Sequence, residues 1–445
     1  MKHLFILILI ACSTFLYGQS KEEKLQQLFE AYSNTNKFNG TVLISRSGKL
    51  LLNKGYGFKN VKDSTMNMPN TIFQIGSLTK QFTAAAILKL QEDGKLKVQD
   101  KLSKYFPDYA KGDSITIEHL LTHTSGIYNY TNDPAFMQTK AVKPTVRDSM
   151  LALFKNKPLN FPPGSKWSYS NSNYMLLGYI IEKTSKKTYE QYVREAIFKP
   201  LKMNSSGFDF AHSSSPNNAQ GYEIIAGEES REAPLVDSSV SYAAGAIYST
   251  TNDLYQWNNG LLSGKIIPKA SIERALTPYK DKYGYGWFID TLNGKKITSH
   301  GGGIFGFNTY MASVRQDDIF IVLLNNTENP NLKKIADDAL AILYDKPYTV
   351  PEVKKEIAVS TDVLSKYTGI YELTPQFSIT IFVEDGKLFG QATGQQKAQL
   401  FPQKKDYFFL KIVDAQLEFT KDESGKINSL TLFQGGQQLK GKKVK

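Results

Sequence analysis

Apolar and polar positions change period several times along the chain, and each change predicts an element. Residues 21–34 have the spacing of an amphipathic helix. The stretch GTVLISRSGKLLLNKGYG (40–57) predicts two strands joined by a tight Arg-Ser-Gly-Lys turn. Helical patterns then fill the middle of the chain, at 77–93, 172–185 and 188–198, with long loops between them. Strand patterns return at 283–291, 295–300 and 308–326, the last turning at Asp317-Asp318, and a helix over 330–344 closes the region.

The economical arrangement is an α+β fold. The early hairpin joins the late strands in one antiparallel sheet flanked by helices, with the helical middle as a lobe beside it and a cleft at the junction. A Pro-containing stretch, YDKPYTVPEVKKE (344–356), then reads as a linker. Beyond it the chain is nearly all strand and turn, with turns at Glu384-Asp385-Gly386 and Glu423-Ser424-Gly425, which predicts a small all-β barrel or sandwich. The expected division is a leader over 1–20, a main domain over 21–345, a linker over 346–357 and an accessory β domain over 358–445. The sequence contains no internal repeat and no low-complexity tract.

Composition alters this picture at few points. The 445 residues are 41% hydrophobic and 22% charged, as in ordinary globular proteins. The first 20 residues join a short basic start to an apolar run and end in small residues, the pattern of a secretory signal peptide, and no later stretch is long and apolar enough for a membrane span. Export to the periplasm or the medium is therefore expected. Leu9-Ile10-Ala11-Cys12 also resembles a lipoprotein box, so an anchor through Cys12 is the alternative; the apolar run continuing past Cys12 favours plain cleavage. Cys12 is the only cysteine, so cleavage would leave no thiol for a disulfide, a metal or a nucleophile. The net charge of +12 is compatible with peripheral association with an anionic envelope. The lysines are scattered and accompany no nucleic-acid motif, so no nucleic-acid partner is expected.

Several chemistries are absent from the sequence. It has no G-x-S-x-G elbow, no H-E-x-x-H or other metal spacing among its histidines, and no phosphate-binding glycine loop before a helix. No metal or organic cofactor is implied. One constellation stands out: Ser77-Leu78-Thr79-Lys80, the single S-x-x-K of the chain, at the start of an apolar helix. Residues three apart share a helix face, so hydroxyl and amine can meet. The helix dipole and burial both disfavour an ammonium there and lower its pKa, and such an amine can help to deprotonate the serine. The alternative is a serine N-cap followed by a solvated lysine, although a cap predicts Glu or Gln at the third position. The tetrapeptide alone leaves both readings open.

Five blocks in order resolve the choice: FQIGSLTKQFTAAAILKLQEDGKLKVQDKL (73–102), ITIEHLLTHTSGI (115–127), FPPGSKWSYSNSNYMLLGYIIEKTSKKTYEQYV (161–193), AAGAIYSTTNDL (243–254) and HGGGIFGF (300–307). Over about 25–345 the chain resembles the serine β-lactamase and penicillin-binding-protein superfamily, in its class C β-lactamase and D-Ala-D-Ala carboxypeptidase branch. The resemblance implies an acyl-enzyme on Ser77. Its second motif, Tyr-x-Asn, falls on Tyr169-Ser170-Asn171, with Tyr169 sharing a proton with Lys80 and Asn171 hydrogen-bonding Lys80 and the substrate. Tyr32-Ser33-Asn34 and Tyr130-Thr131-Asn132 match the same pattern, but only 169–171 follows a Pro-Pro-Gly-Ser turn and leads into a helix. The third motif, usually Lys-Thr-Gly, is replaced by His300-Gly301-Gly302 and then Gly303 at the end of a strand. By family position the Gly303 N–H joins that of Ser77 as an oxyanion hole.

An imidazole holds a substrate carboxylate less firmly than an ammonium does. His300 thus shifts the expectation from β-lactam destruction towards small amides and esters. The order expected is D-amino-acid peptides of D-Ala-D-Ala carboxypeptidase type, including peptidoglycan fragments, then esters, then β-lactams. A non-catalytic envelope peptide-binding protein is the rival of another class. His123 is read as a structural hydrogen-bonding residue, His119 as core, and 243–254 as packing followed by a helix cap.

Overall fold

The computed structural model describes residues 19–225, 230–328, 331–352, 354–411, 413, 415–434 and 437–445. Nearly all of the expected leader, with Cys12, and the first residue of the expected helix 330–344 lie outside these.

The hairpin forms as expected, with β1 (Gly40–Arg46) and β2 (Lys49–Tyr56) joined through Ser47 and Gly48, at φ 51° and 73°. Two left-handed residues make the turn whose twist matches a hairpin. The late strands are β3 (Phe288–Leu292), β4 (Lys295–Ile304), β5 (Phe307–Val314) and β6 (Ile319–Asn325). They complete one antiparallel sheet of order β2-β1-β6-β5-β4-β3, in which Val42 faces Leu323 and Gly303 faces Asn308. Two expectations shift. The strand expected over 283–291 begins only at Phe288, because Tyr279–Trp287 is a loop of turns and single bridges. The strand expected over 295–300 runs on to Ile304, so the glycines lie within a strand and not beyond its end.

Period-two alternation serves both faces of the sheet. Val42, Ile44, Ile321 and Leu323 face a layer made by the helices α1 (Lys21–Asn34) and, near the end of the main domain, Leu332–Leu343. Leu43, Phe320, Val322 and Leu324 face the helical lobe. The lobe is built around α2 (Thr79–Glu92), α3 (Asn171–Ser185), α4 (Ser238–Gly245) and α5 (Thr251–Leu262). Helix α2 has apolar residues on nearly every side because sheet and lobe enclose it; Phe82 stacks on Trp257 with centroids 4.3 Å apart.

From Gly369 to Lys443 the chain forms a closed eight-stranded barrel, not an open sandwich, filled by Tyr371, Ile381, Leu388, Phe408 and Leu430 among others. Closure leaves no unpaired edge. The only helical turns of this region, at Thr361–Leu364 and Ser365–Tyr367, precede the first strand among the described residues.

Candidate active site

The nucleophile turn begins at Gly76, held at φ 52°, and Gly76–Leu78 forms a 3-10 turn before α2. Ser77 therefore precedes the α-helix proper, and the helix N-cap is Leu78, without a side-chain cap. A methyl group on Gly76 would lie 2.9 Å from the Gly303 nitrogen and 3.1 Å from its carbonyl atoms. A methyl on Gly302 would lie 2.1 Å from the Ile75 oxygen. Bare backbone on both sides thus lets the nucleophile turn and β4 touch. The Thr309 hydroxyl fastens the contact by donating to the Ile75 carbonyl at 2.9 Å.

One turn on, Lys80 is fully buried. Its Nζ lies 3.1 Å from Ser77 Oγ, 2.8 Å from Asn171 Oδ1 and 2.8 Å from the Ala244 carbonyl oxygen. A neutral amine fits these partners: two N–H bonds reach the two carbonyl oxygens, and the lone pair is left for the Ser77 hydroxyl. Burial holds the lysine well below its ordinary range. The rings of Tyr169 and Tyr174, 4.8 and 5.4 Å from Nζ, favour the cation by about 1 kcal/mol each. Desolvation outweighs them, since a fully buried amine loses several kcal/mol of hydration.

Tyr169 follows the expected turn at Pro162–Ser165, where the Ser165 N–H donates to the Pro162 carbonyl at 3.1 Å. Its two neighbours are clamped by one residue. The Ser168 N–H donates to the His123 carbonyl at 3.0 Å, and the Ser170 N–H donates to His123 Nδ1 at 3.2 Å. His123 adopts φ 57° and lies 4.4 Å from the Tyr169 ring, centroid to centroid. It accepts through Nδ1, and burial keeps it neutral. The structural reading of His123 thus gains a particular object, Tyr169. Burial pushes the Tyr169 phenol up, opposed by its hydrogen bond with Ser77, so it rests protonated. His119 is not core: half-buried, it closes a reciprocal cap with Thr116 at the start of the short helix Ile117–Leu121.

Asn171 opens α3, its N–H donating to Asn129 Oδ1 at 2.9 Å and its Nδ2 to Thr131 Oγ1 at 3.1 Å. The second Tyr-x-Asn match, Tyr130-Thr131-Asn132, thereby also borders the site, with Tyr130 and Thr131 lining the cleft.

His300 sits elsewhere than a carboxylate-binding residue would. It is only 2% exposed, packed among Tyr169, Tyr283 and Phe288. Its Nδ1 donates to the Gly301 carbonyl at 2.6 Å, and its Nε2 accepts from the Tyr283 hydroxyl at 3.1 Å. Burial holds its pKa down at about 3, so it is neutral at physiological pH. Gly301 and Gly303 are exposed, Gly303 bordering the cleft, and Gly302 is buried against the nucleophile turn.

The cleft has a volume of about 560 Å³ and is bordered by Ser77, Asn171, Gly303, Phe305, Asn308 and Glu328 among others. Several of its determinants are backbone groups that residue types do not reveal. The block 243–254 supplies the expected cap, Thr250 accepting from the Asp253 N–H, but it also delivers the Ala244 carbonyl to Lys80 and the Ala243 carbonyl to Thr83. These carbonyls point inward because α4 is broken at Tyr242, at φ 36° and ψ −133°. A tyrosine in that region stores strain of about 1–3 kcal/mol. No cluster of potential metal ligands occurs among the described residues.

Known proteins resemble this chain over most of its length. A family model described as "Beta-lactamase" matches residues 25–346, and a model for a domain of unknown function, DUF3471, matches 353–443. Penicillin-binding protein 4* of Bacillus subtilis is 31% identical over 453 residues, spanning 96% of this chain and 100% of the relative. The octameric penicillin-binding protein homologue from Pyrococcus abyssi superposes with a TM-score of 0.64 at 27% identity, covering 94% of this chain and 99% of that one. A D-stereospecific amidohydrolase from Streptomyces shares the fold at 24% identity, with a TM-score of 0.62 over 72% of this chain and 98% of its own. With its buried lysine against a serine at the head of a helix, and a family match over most of its length, this chain belongs to the beta-lactamase family of serine hydrolases, whose members include penicillin-binding-protein homologues.

Proposed function

We propose that the protein is an exported hydrolase of small D-amino-acid amides and peptides that works through an acyl-enzyme on Ser77. The observation that carries the reading is the bonding of Lys80, a fully buried amine held by the Asn171 and Ala244 oxygens, whose third contact is Ser77 Oγ at 3.1 Å. In the reaction Lys80 accepts the Ser77 proton as Oγ attacks the carbonyl carbon. The N–H groups of Ser77 and Gly303 receive the oxyanion, each such donor contributing about 3–4 kcal/mol in comparable sites. Tyr169, resting protonated, gives its proton to the leaving nitrogen and recovers one from the Lys80 ammonium. Asn171 keeps one Nδ2 hydrogen for a substrate carbonyl. In the second half Lys80 takes a proton from water as it attacks the acyl carbon, the Oγ–acyl bond breaks, and the proton passes to Ser77 Oγ, directly or through Tyr169, as the acid leaves.

His300 supports amides and esters over substrates that end in a carboxylate, because it is neutral and both its ring nitrogens have partners. Carboxypeptidase action on D-Ala-D-Ala termini, peptidoglycan fragments included, therefore ranks below amidase action, simple esters follow, and β-lactams come last. The leader over 1–20 supports a site of action outside the cytoplasm.

The test is intact mass after exposure to a fluorophosphonate, together with kcat/KM for D-alaninamide, D-Ala-D-Ala peptides, p-nitrophenyl esters and nitrocefin. An adduct that requires Ser77 and Lys80 is expected, with amide turnover above nitrocefin turnover. Absence of the adduct overturns the mechanism, and dominant nitrocefin hydrolysis overturns the substrate order.

A further inference from the structure

Among the described residues that border the cleft, one carries a charge at the surface, and it is an acid: Glu328. No lysine, arginine or histidine accompanies it there; Lys80 lies beneath the floor and His300 is buried and neutral. Arg231, on the strand leading towards the cleft residue Val236, is turned to Glu223 at 3.7 Å and to Gln396 at 3.3 Å.

Glu328 is exposed, and its carboxylate has no ion pair or hydrogen bond among the described residues. Its backbone is nonetheless held. The Glu328 N–H donates to the Tyr222 carbonyl at 3.3 Å, Thr327 bridges Tyr222, and Asn325 Nδ2 donates to the Thr327 carbonyl at 2.7 Å. Asn325 in turn pairs in register with Asn308, which borders the cleft next to Gly303. An acid on a held stretch of backbone thus borders the same cleft as Ser77. Gly301 offers a substrate carboxylate no donor from a side chain.

We propose that Glu328 selects substrates bearing a positive charge, so that the preferred acyl donors are amides or peptides of amino acids with a free ammonium group. This rests on the hydrolase reading above and names its substrate class. A charge at a cleft lip acts through solvent, so its effect is moderate and screened by salt.

The experiment compares two anilides that differ only in replacement of an ammonium by a methyl group: D-alanine p-nitroanilide and isobutyryl p-nitroanilide. The ratio of their kcat/KM values is measured for the wild type, Glu328→Gln and Glu328→Lys, at about 20 and 300 mM salt. The wild type is expected to favour the cationic anilide by about tenfold at low salt, and this preference should shrink as salt rises. Glu328→Gln should bring the ratio close to that of the wild type at high salt, and Glu328→Lys should lower it further. A ratio that ignores both salt and substitution overturns the proposal. Turnover of neither anilide by a protein that still takes a fluorophosphonate on Ser77 also overturns it while leaving the hydrolase mechanism intact. Loss of the Ser77 adduct itself would instead strike the mechanism.

Discussion

Gly76→Ala changes one hydrogen to a methyl group beside the nucleophile, and the structure sets its consequences. At φ 52° an L-residue pays about 1–2 kcal/mol relative to glycine. The methyl would also stand 2.9 Å from the Gly303 nitrogen, closer than real Cβ contacts come, and the obstacle is backbone that cannot rotate away. Either the nucleophile turn or β4 must move by several tenths of an ångström. That gap separates the two N–H groups assigned to the oxyanion, whose useful distance range spans only about 0.4 Å. Complete loss of one donor costs about 10²–10³ in rate, so a partial displacement predicts a fall in kcat of about 10- to 300-fold. Gly303→Ala is the control. Its methyl would meet no atom closer than Asn308 Nδ2 at 3.5 Å, and its N–H would stay in place, so a fall of less than about fivefold is expected. The assay is pre-steady-state acylation by a chromogenic ester, with thermal unfolding measured in parallel to confirm that both variants fold. If Gly76→Ala acylates at the wild-type rate, or if Gly303→Ala is the worse of the two, the contact between nucleophile turn and β4 does not set the oxyanion site.

Three further outcomes follow from named groups. Lys80→Met keeps the volume and removes the base, and acylation should slow by about 10²–10⁴-fold; a smaller loss would shift the base role to Tyr169. His123→Leu should lower kcat about tenfold or more with less effect on KM, because the clamp on both neighbours of Tyr169 is lost. His123→Asn, which can accept at a similar place and tolerates a positive φ, should restore most of it, and equal damage from both would refute the clamp. Acidification should destabilise the main domain through His300. Its folded pKa of about 3 lies below the unfolded 6.5, so the unfolded chain binds more protons in that window and stability falls as pH drops from about 6.5 towards 3. His300→Gln should flatten that part of a pH-dependent denaturation curve, and an unchanged slope would show that the imidazole titrates alike in the folded and unfolded chain.

The sequence by itself determined much of this molecule. Period-two and helical spacing predicted the hairpin at 40–57, the helix at 21–34 and the joining of early and late strands in one sheet, because one-sided or two-sided burial writes itself into side-chain type. It also singled out Ser77 and Lys80, since S-x-x-K occurs once, and the family resemblance of the sequence added Tyr169 and Asn171. The strand over 295–304 was visible only as far as His300, because glycines carry no pattern, yet their lack of side chains is what allows contact with the nucleophile turn.

Tertiary structure decided what those residues face. Ala244 supplies Lys80 with a carbonyl through a strained backbone at Tyr242, and a backbone group leaves no mark in residue type. His300 was legible as a departure from lysine, but its burial behind Tyr169, and so its neutrality, depends on packing by Tyr283 and Phe288. Glu328 is an unremarkable acid in sequence, and it becomes significant only where β6 ends beside the cleft. Local spacing carries the nature of a side chain, whereas its solvent, its partners and its charge state are set by residues hundreds of positions away.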